Sequence, residues 1–417
     1  FVLAANDRGN LGAENAALMR VDQNGQLIWS RQFAGSQRLS DVSALPGIGY
    51  AFTGTTSGFG AGAPDILVIK TDENGFAGLC AEVPHQTQVQ DVVPAQSTGI
   101  FTILQTAAPT PMNMPVQDYA LQSNHPCPVA CDDPPPPCKS FQNTYGTTSD
   151  DRGIIGIEMP GGGFLLGGNT TQNGDQDLLL TRTDASGELL WSKRYGNASV
   201  PEALFDLQAK PDGGFFISFT LGNPSDAAFA VCDANGNVQF SRRITTATGS
   251  LTDVFYDIIA TSDGGYLAAG SFSPNNNTTW AAFFLKMDAV GATQWYRGWN
   301  EARTDFVTGV RELPGGGYIA CGFGNSYGLG GPHDGIAYRL DASGNLLWTK
   351  AYGTASDGGF SDVAIAADGG FLFAAGLWNF GTNGQPEGGI VRTDADGNLL
   401  WTNIYRPSNN LDWETAG

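Results

Sequence analysis

Short apolar runs alternate with turns rich in Gly and Asp along the chain. A Gly followed by an aromatic residue and an apolar run recurs about every 51 residues. The runs have the length of strands, and the Gly-Gly pairs between them would break helices. This pattern predicts an all-β repeat protein, whose repeats are marked by Tyr50, Phe101, Phe164, Phe215, Tyr266, Tyr318 and Phe371.

One repeat, taken from 357 to 405, shows the predicted unit. It contains four apolar segments, at 362–365, 371–375, 389–393 and 398–405, with a glycine-containing turn after the first and third. Four antiparallel strands in about 51 residues correspond to one blade of a β-propeller. The sequence therefore predicts an all-β fold, a β-propeller of about eight four-stranded antiparallel blades.

A second pattern has the same period. An Asp is followed three residues later by Gly, and an aromatic residue comes four residues after that. The Asp is suited to accept bonds from backbone N–H groups of a turn, and the Gly supplies its left-handed residue. We expect the aromatic ring, on the outer strand, to wedge between neighbouring sheets as part of the scaffold. The six residues of this blade motif are Trp29, Trp191, Phe240, Trp295, Trp348 and Trp401.

The period has one longer step, between Phe101 and Phe164, and it contains four consecutive prolines at 134–137. We predict a single eight-bladed propeller over 1–417 with a Cys/Pro-rich insertion at 124–139. The alternative is the end of one propeller at 1–123, a linker at 124–138 and the start of a second propeller at 139–417. Residues 412–417 match the first strand of a blade at 305–310. For a single ring we therefore expect the C-terminal strand to complete the blade that contains Phe1.

Four of the six cysteines lie around this longer step: Cys80, Cys127, Cys131 and Cys138. A zinc site would need a second pair of ligands, which the segment lacks, so we predict disulfides. Cys131–Cys138 with Cys80–Cys127 is the preferred of three possible pairings. Cys232 and Cys321 lie in apolar strands and are expected to be buried as small hydrophobic residues.

Composition narrows the possible functions. The 417 residues carry a formal charge of −20, with 21 Lys and Arg against 41 Asp and Glu. This balance provides no basic surface for nucleic acid. No apolar run approaches the roughly 20 residues of a membrane helix, so membrane insertion is not expected. The 57 Gly and 22 Pro fit a fold with many tight turns.

The repeat resembles a known group of proteins. Residues 341–353 read DASGNLLWTKAYG and 368–371 read DGGF. They are similar to the D-x-x-G-N-x-L-W-x-K-x-Y-G and D-G-G-Y/F repeats of secreted bacterial proteins that use type IX secretion. The resemblance to the tryptophan-docking repeats of quinoprotein propellers is more distant, because the turn is one residue shorter and no quinone pocket is evident. The resemblance implies a secreted, extracellular or cell-surface location.

The search for chemistry singles out no catalytic, cofactor or metal residue. The three histidines, His85, His125 and His333, form no recognised motif. Ca²⁺ at the turn 394–398 is the one cation considered, although the bidentate Glu of a calcium loop is missing. Two aromatic residues in variable loops, Tyr327 and Trp378, are candidates for rim binding.

From these observations we predict a non-enzymatic module with a structural, adhesive or assembly role. Its partner would be a protein, a carbohydrate or another copy of the chain at the cell surface. The alternatives are a propeller hydrolase or lyase acting on polysaccharide, and a carbohydrate-binding module of a larger enzyme. An axial channel with convergent carboxylates and an aromatic platform would favour the enzyme.

Overall fold

The computed structural model contains only strands and turns in the part of the chain it describes. No helix long and apolar enough to cross a membrane occurs there. The described residues are 1–8, 14–33, 37–57, 64–77, 82–84, 87–91, 95–98, 107–111, 116–118, 122–124, 140–172, 174–196, 200–222, 226–246, 252–273, 279–299, 304–326, 332–353, 358–378, 386–407 and 412–415.

The strands fall into three groups along the chain. The first group is β1 (Val2–Arg8), β2 (Glu14–Val21), β3 (Leu27–Phe33), β4 (Gln37–Leu45), β5 (Gly49–Thr56) and β6 (Asp65–Asp72). Six short strands follow: β7 (Glu82–Pro84), β8 (Thr87–Asp91), β9 (Ala95–Thr98), β10 (Ala107–Pro111), β11 (Val116–Asp118) and β12 (Gln122–Asn124). The third group is β13 (Phe141–Gly146), β14 (Asp150–Glu158), β15 (Phe164–Gln172), β16 (Asp175–Thr183), β17 (Leu189–Tyr195), β18 (Glu202–Ala209), β19 (Phe215–Leu221), β20 (Asp226–Cys232), β21 (Val238–Thr246), β22 (Thr252–Ala260), β23 (Tyr266–Ser273), β24 (Ala281–Met287), β25 (Thr293–Trp299), β26 (Asp305–Glu312), β27 (Tyr318–Gly324), β28 (Asp334–Leu340), β29 (Leu346–Gly353), β30 (Gly358–Ile365), β31 (Phe371–Trp378), β32 (Pro386–Thr393), β33 (Leu399–Pro407) and β34 (Asp412–Thr415).

These strands form seven antiparallel sheets, each built on a four-stranded blade. Blade 1 is β34-β1-β2-β3 and blade 2 is β4-β5-β6-β13. Blades 3 to 7 use consecutive strands, from β14 to β33. The first strands of neighbouring blades lie against one another, which places them around the axis. The predicted all-β propeller of four-stranded antiparallel blades is confirmed.

The prediction of about eight blades is wrong, because the described strands build seven. The extra blade was assigned to the segment that follows β6. The fourth strand of blade 2 is instead β13, whose Phe141 pairs with Lys70 and whose Tyr145 pairs with Ile66. The sequence carries a sign of this: the turn Asp-Gly pair at Asp72 and Gly75 is followed by Leu79 where other blades have an aromatic residue.

Strands β7 to β12 form what we call the outer belt. Each pairs with the outer strand of a different blade, in the order blade 1, 7, 6, 4, 3 and 2. Each belt strand thus satisfies backbone groups that an outer edge strand would leave unpaired. Residues 125–139, where the insertion or linker was predicted, lie outside the described residues, as do Cys80, Cys127, Cys131 and Cys138, so the disulfides stay a prediction.

The ring is closed by the two ends of the described chain. Strand β34 is antiparallel to β1, and its Thr415 and Asp412 pair with Ala5 and Arg8. The expected completion of blade 1 by the C-terminal strand is therefore present. β34 also contacts β32 of blade 7, so the last blade meets the first.

A contact between an aromatic ring and a turn glycine repeats at all seven blade interfaces. At Gly25 of blade 1, a Cβ atom would come within 2.8 Å of the Trp401 ring of blade 7. The same glycine has a φ of 76°, which L side chains rarely adopt. The aromatic–glycine pairs are Trp29–Gly75, Phe141–Gly187, Trp191–Gly236, Phe240–Gly291, Trp295–Gly344, Trp348–Gly397 and Trp401–Gly25.

The Asp that opens each of these turns caps backbone N–H groups, as the sequence predicts. Asp22 Oδ1 accepts bonds from the N–H groups of Asn24 and Gln26, both at 2.8 Å. Asp394 makes the same pair of bonds, to Asp396 and Asn398. The Asp and Gly of the motif therefore serve the turn, and the aromatic residue packs on the turn of the next blade.

Candidate functional site

A β-bulge recurs in the first strand of six blades, where the pairing with the second strand skips one residue. A bulge bends the strand and redirects neighbouring side chains. The skipped residues surround a cavity of about 630 Å³ that we call the channel cavity. They are Ser40, Ile154, Phe205, Tyr256, Thr308 and Ser361.

Most of the acidic side chains that line the channel cavity belong to the residue after the bulge. It is Asp in four blades, while blades 3 and 6 have Ile155 and Gly309 there. The four carboxylates therefore line one cavity although they come from four different blades. They are Asp41, Asp206, Asp257 and Asp362.

Each of three carboxylates bonds the backbone of the following blade. Asp41 accepts from the N–H of Gly156 at 3.2 Å, Asp206 from Ile258 at 3.1 Å, and Asp257 from Val310 at 2.7 Å. A typical hydrogen bond within a protein stabilises the fold by roughly 0.5–1.5 kcal/mol. These carboxylates thus link neighbouring blades around the axis as well as lining the cavity.

Arg311 divides the four carboxylates into unlike environments. Its Nη1 donates to Asp257 and its Nη2 to Asp362, both at 2.7 Å. Although burial opposes it, the charges of Asp362 and Asp257 raise the pKa of Arg311, so this guanidinium stays charged. Burial raises the pKa of Asp362, and Arg311 acts against that rise.

Asp206 is buried beside Asp257, and this favours its protonated form. Burial and then the Asp257 charge raise the pKa of Asp206 well above its usual range, and the two carboxyl groups share a hydrogen bond. The side chain is only 7% exposed and accepts bonds from the backbone N–H groups of Leu207 and Ile258. This pair therefore has mainly a structural role.

Asp41 makes no ion pair among the described residues, unlike Asp257 and Asp362, which pair with Arg311. Burial raises the pKa of Asp41 to about 7, and bonds from the N–H groups of Gly156 and Val42 oppose the rise. The charge of Asp362 raises the same pKa and that of Arg311 lowers it. Asp41 and the Arg311–Asp362 pair therefore act on one another electrostatically within one cavity.

Aromatic rings line one side of the channel cavity. Phe205 and Tyr256 meet edge to face with ring centroids 5.4 Å apart, and Tyr256 contacts Phe306 of blade 6 at 6.2 Å. Burial raises the pKa of Tyr256 to about 12, so its hydroxyl stays protonated as a donor. Adjacent carboxyl groups and half-buried rings are the usual components of sites for polyhydroxylated ligands.

A second cavity of about 550 Å³ shares Ser40 and Ile154 with the channel cavity. It lies between blades 2 and 3 and is lined by polar side chains, among them Asn169, Gln176 and Thr171. Together the two cavities offer an elongated polar space.

The site residues predicted from the sequence lie elsewhere. The six aromatic residues of the blade motif lie between blades, on the outer strands. Tyr327 is outside the described residues, and Trp378 ends β31, with its side chain outside the description. Cys232 and Cys321 are both fully buried, as predicted, and burial raises the pKa of Cys232 to about 12.

The channel residues were missed because they share a repeat position with scaffold residues. An Asp near the start of the first strand recurs, so a search for departures from the repeat passes over it. Arg311 did depart from the repeat, since the other described first strands have no basic residue at that position. A basic residue at this one position of a first strand is the signal that could have pointed to the channel, since Arg38 and Arg152 lie earlier in theirs. Over the described residues, no group of three His, Cys, Asp or Glu side chains is arranged to hold a metal ion.

The raised pKa values predict how stability depends on pH. An unfolded Asp titrates near 3.9, whereas Asp41 keeps its proton to about pH 7 in the fold. Between these values the folded protein binds more protons than the unfolded chain, so the free energy of unfolding falls as the pH rises from about 4 to about 7. Below about pH 4 the turn and hairpin carboxylates act in the opposite direction; Asp263, for example, is bonded by Lys286 and has a pKa lowered to about 2 despite its desolvation.

We therefore expect the melting temperature to be highest near pH 4–5 and to decline toward pH 7. Scanning calorimetry from pH 3 to pH 8 measures this. The variant Asp41→Asn should flatten the decline, since it removes one of the titrating groups. A melting temperature that increases from pH 5 to pH 7 would contradict the assignment.

No family model and no curated protein matches the chain. Among solved structures, the chain is similar to a point mutant of the apocarotenoid oxygenase of Synechocystis, with 10% identity and a TM-score of 0.42. The match covers 99% of this chain and 92% of that chain. That protein is an enzyme, whereas the sequence led us to expect a non-enzymatic structural or adhesive module, and that expectation is not carried forward. The oxygenase's reaction is not transferred to this chain at such a distance.

Proposed function

We propose that the protein is a carbohydrate-active hydrolase whose active site is the channel cavity. The observation that supports this most directly is the pair of unlike carboxyl groups there. Asp41 has a pKa of about 7, and Asp362 is ion-paired to Arg311 at 2.7 Å. A carboxyl group with a pKa near neutrality, close to a second one that an Arg side chain holds, is the kind of pair that acid–base hydrolysis of a glycosidic bond uses.

The environments suggest which group is the acid. Asp41 has no cationic partner among the described residues, and at neutral pH it is partly protonated. As general acid it would give its proton to the oxygen of the leaving sugar while the glycosidic C–O bond breaks. Asp362 would take a proton from a water molecule whose oxygen bonds the sugar carbon. Proton exchange with solvent then restores both groups.

Arg311 is a positioning residue in this scheme. It holds Asp362 from one nitrogen and Asp257 from the other, so the orientation of Asp362 is fixed by an anchor on β26. Its charge also favours the ionised form of Asp362. We expect Arg311 to influence rate through Asp362 rather than by touching the reacting atoms.

The lining of the cavity favours a sugar over an apolar substrate. Phe205 and Tyr256 present aromatic surface on which the C–H face of a sugar ring can stack. Ser40, Ser361 and Thr308 add hydroxyl groups, which can bond to sugar hydroxyls. The neighbouring polar cavity gives room for a further sugar unit, so an oligosaccharide or a polysaccharide end is the proposed substrate class.

Action outside the cell, on carbohydrate at a cell surface, is part of this proposal. It rests on the repeat resemblance at 341–353 and on the formal charge of −20. Ca²⁺ at the Asp394 turn also stays a prediction. Both carboxylate oxygens of Asp394 already accept hydrogen bonds within the turn.

The purified chain is assayed on a panel of polysaccharides and chromogenic glycosides. The release of reducing ends is measured between pH 5 and pH 8. We expect hydrolysis of at least one glycan class, with the rate falling above about pH 7 as Asp41 loses its proton. The variant Asp396→Asn, changed in an exposed turn on the outside of the ring, serves as the control and should keep the full rate. The proposal would be overturned if no reducing ends were released from any glycan at a protein concentration high enough to detect slow hydrolysis.

A further inference from the structure

A basic side chain near the end of the third strand anchors the hairpin between the first and second strands in several blades. In blade 5, Lys286 donates to both oxygens of Asp263 at 3.0 and 2.8 Å. In blade 7, Arg392 donates to both oxygens of Asp368 at 2.5 and 2.6 Å. A carboxylate from the hairpin thus neutralises the buried cation in each of these blades.

Blade 6 keeps the cation but lacks the carboxylate. Gly315 occupies the hairpin position of Asp263 and Asp368, and the cation is Arg339. Gly315 has a φ of 93°, which L side chains rarely adopt, and a Cβ atom added there would meet nothing within 4 Å, so this hairpin offers Arg339 no carboxylate. Within the described residues, Arg339 donates through Nη1 alone, to the carbonyl groups of Tyr318 and Leu340.

Blade 3 shows that a missing carboxylate does not by itself leave the second nitrogen of the cation without a bond. It has Gly161 at the hairpin position and Arg182 as the cation. There the second guanidinium nitrogen donates to the carbonyl of Gly162 at 2.6 Å. The corresponding nitrogen of Arg339 has no such bond among the described residues, so blade 6 differs from blade 3 in this respect. Blade 2 also lacks the carboxylate, with Gly47 at the hairpin position, but its cation is Lys70, which donates to the carbonyl of Ala185 at 3.4 Å.

Gly315 borders a cavity of about 1080 Å³ between the hairpins of blades 6 and 7. The carboxylates that line it are already bonded: Glu312 accepts from the N–H and hydroxyl of Ser262, both at 2.7 Å, and Asp368 accepts from Arg392. Much of the rest of the lining is apolar, provided by Leu313, Pro314, Ile365, Ala366 and Phe371.

We propose that this blade 6 cavity binds an organic carboxylate with an apolar body. The carboxylate would lie on Arg339, where blades 5 and 7 have the side chain of their own Asp. The apolar body would lie along Pro314, Ile365 and Ala366, which line the cavity and are at least partly exposed. This site is separate from the channel cavity and does not depend on the proposed hydrolase function.

A singly charged ligand fits the site better than a phosphate. One guanidinium faces the cavity, while Glu312 and Asp368 line it and would repel a second negative charge. Burial lowers the pKa of Arg339, and Asp341 only partly offsets this. An anion bound beside Arg339 would therefore stabilise its charged form. Asp341 itself is engaged in capping its turn, through bonds to Ser343 and Asn345.

The test is isothermal titration calorimetry of the full chain with octanoate, octan-1-ol and octyltrimethylammonium as probes. We expect octanoate to bind at one site and at least tenfold more tightly than octan-1-ol, with no binding of the cation. Octanoate binding no tighter than octan-1-ol, or no octanoate binding at all, would overturn the proposal.

Two variants locate the site. Arg339→Gln should weaken octanoate binding at least tenfold, whereas Arg182→Gln in blade 3 should leave it unchanged. The combined changes Leu313→Ala, Pro314→Ala and Gly315→Asp copy the hairpin 366–370 of blade 7 into blade 6. They supply an internal carboxylate and should also abolish octanoate binding, which covers the case that Arg339→Gln fails to fold. Undiminished binding in the hairpin variant would show that octanoate lies elsewhere.

Discussion

Replacing Asp41 by Asn should lower kcat for the best glycan substrate by roughly 10²–10⁴-fold, the usual effect of removing a general acid. Asn has nearly the same shape but has no acidic proton to transfer to the leaving oxygen. The fall in rate above about pH 7 should disappear as well, because it reports the pKa of Asp41. Initial rates for the wild-type protein and the variant between pH 5 and pH 8 measure both effects.

Asp206→Asn is the matched control for this change. Asp206 occupies the same position after the bulge and, like Asp41, bonds its own strand and the next blade. Since its burial favours the protonated form, Asn should replace it with a change in rate of about threefold or less. Equal losses in the two variants would mean that the bonds between blades, rather than an acid, account for the effect.

The variant Tyr405→Ala should lose about 3–5 kcal/mol of unfolding free energy, as other large-to-small core substitutions do. Tyr405 is fully buried in blade 7, and its hydroxyl donates to the carbonyl of Gly25 in blade 1 at 3.0 Å. Removing the side chain leaves a cavity at the interface that closes the propeller and takes away one of the two hydrogen bonds to the Gly25 carbonyl, the other coming from Asn403. Urea unfolding followed by circular dichroism gives the value.

Two further variants separate closure from simple packing. Tyr195 makes the equivalent bond from blade 3 to Gly236 of blade 4, at 2.8 Å. If the ring is closed, Tyr195→Ala and Tyr405→Ala should be destabilising to a similar degree. Tyr405→Phe should lose only the hydrogen bond, about 1 kcal/mol. A much smaller loss for Tyr405→Ala than for Tyr195→Ala would contradict the closed ring.

The blade could be predicted from the sequence because its signals are local. The Asp and Gly of each turn lie within a few residues of one another, and the strands they join are adjacent in the chain. The blade count failed where pairing is not local. Leu79 in place of the motif aromatic indicates that the residues after the turn at Asp72 depart from the repeat. It does not indicate that the partner strand of Lys70 contains Phe141. The sequence of the intervening segment has a Gly-aromatic mark at Phe101, which was enough to suggest a blade.

The channel site was beyond reach for a related reason. Asp41, Asp206, Asp257 and Asp362 come together only because first strands from different blades meet at the axis. From the chain alone, each is one more Asp in a repeat rich in Asp. Their unlike protonation depends on burial and on Arg311, and neither follows from local sequence. The repeat therefore gave the scaffold readily but concealed the residues that distinguish one blade from another.

The outer belt has a consequence for how the protein is made. Its second strand pairs Val89 with Tyr405, at the other end of the chain. During synthesis the belt segment leaves the ribosome long before most of the blades it pairs with exist, so it cannot reach its final place until the ring has been assembled. Non-local pairing of this kind is slow, and strands that wait for a partner are prone to pair with other chains. We therefore expect β8 to β11 to acquire their final pairing late, after the outer strands of blades 7, 6, 4 and 3 have been made.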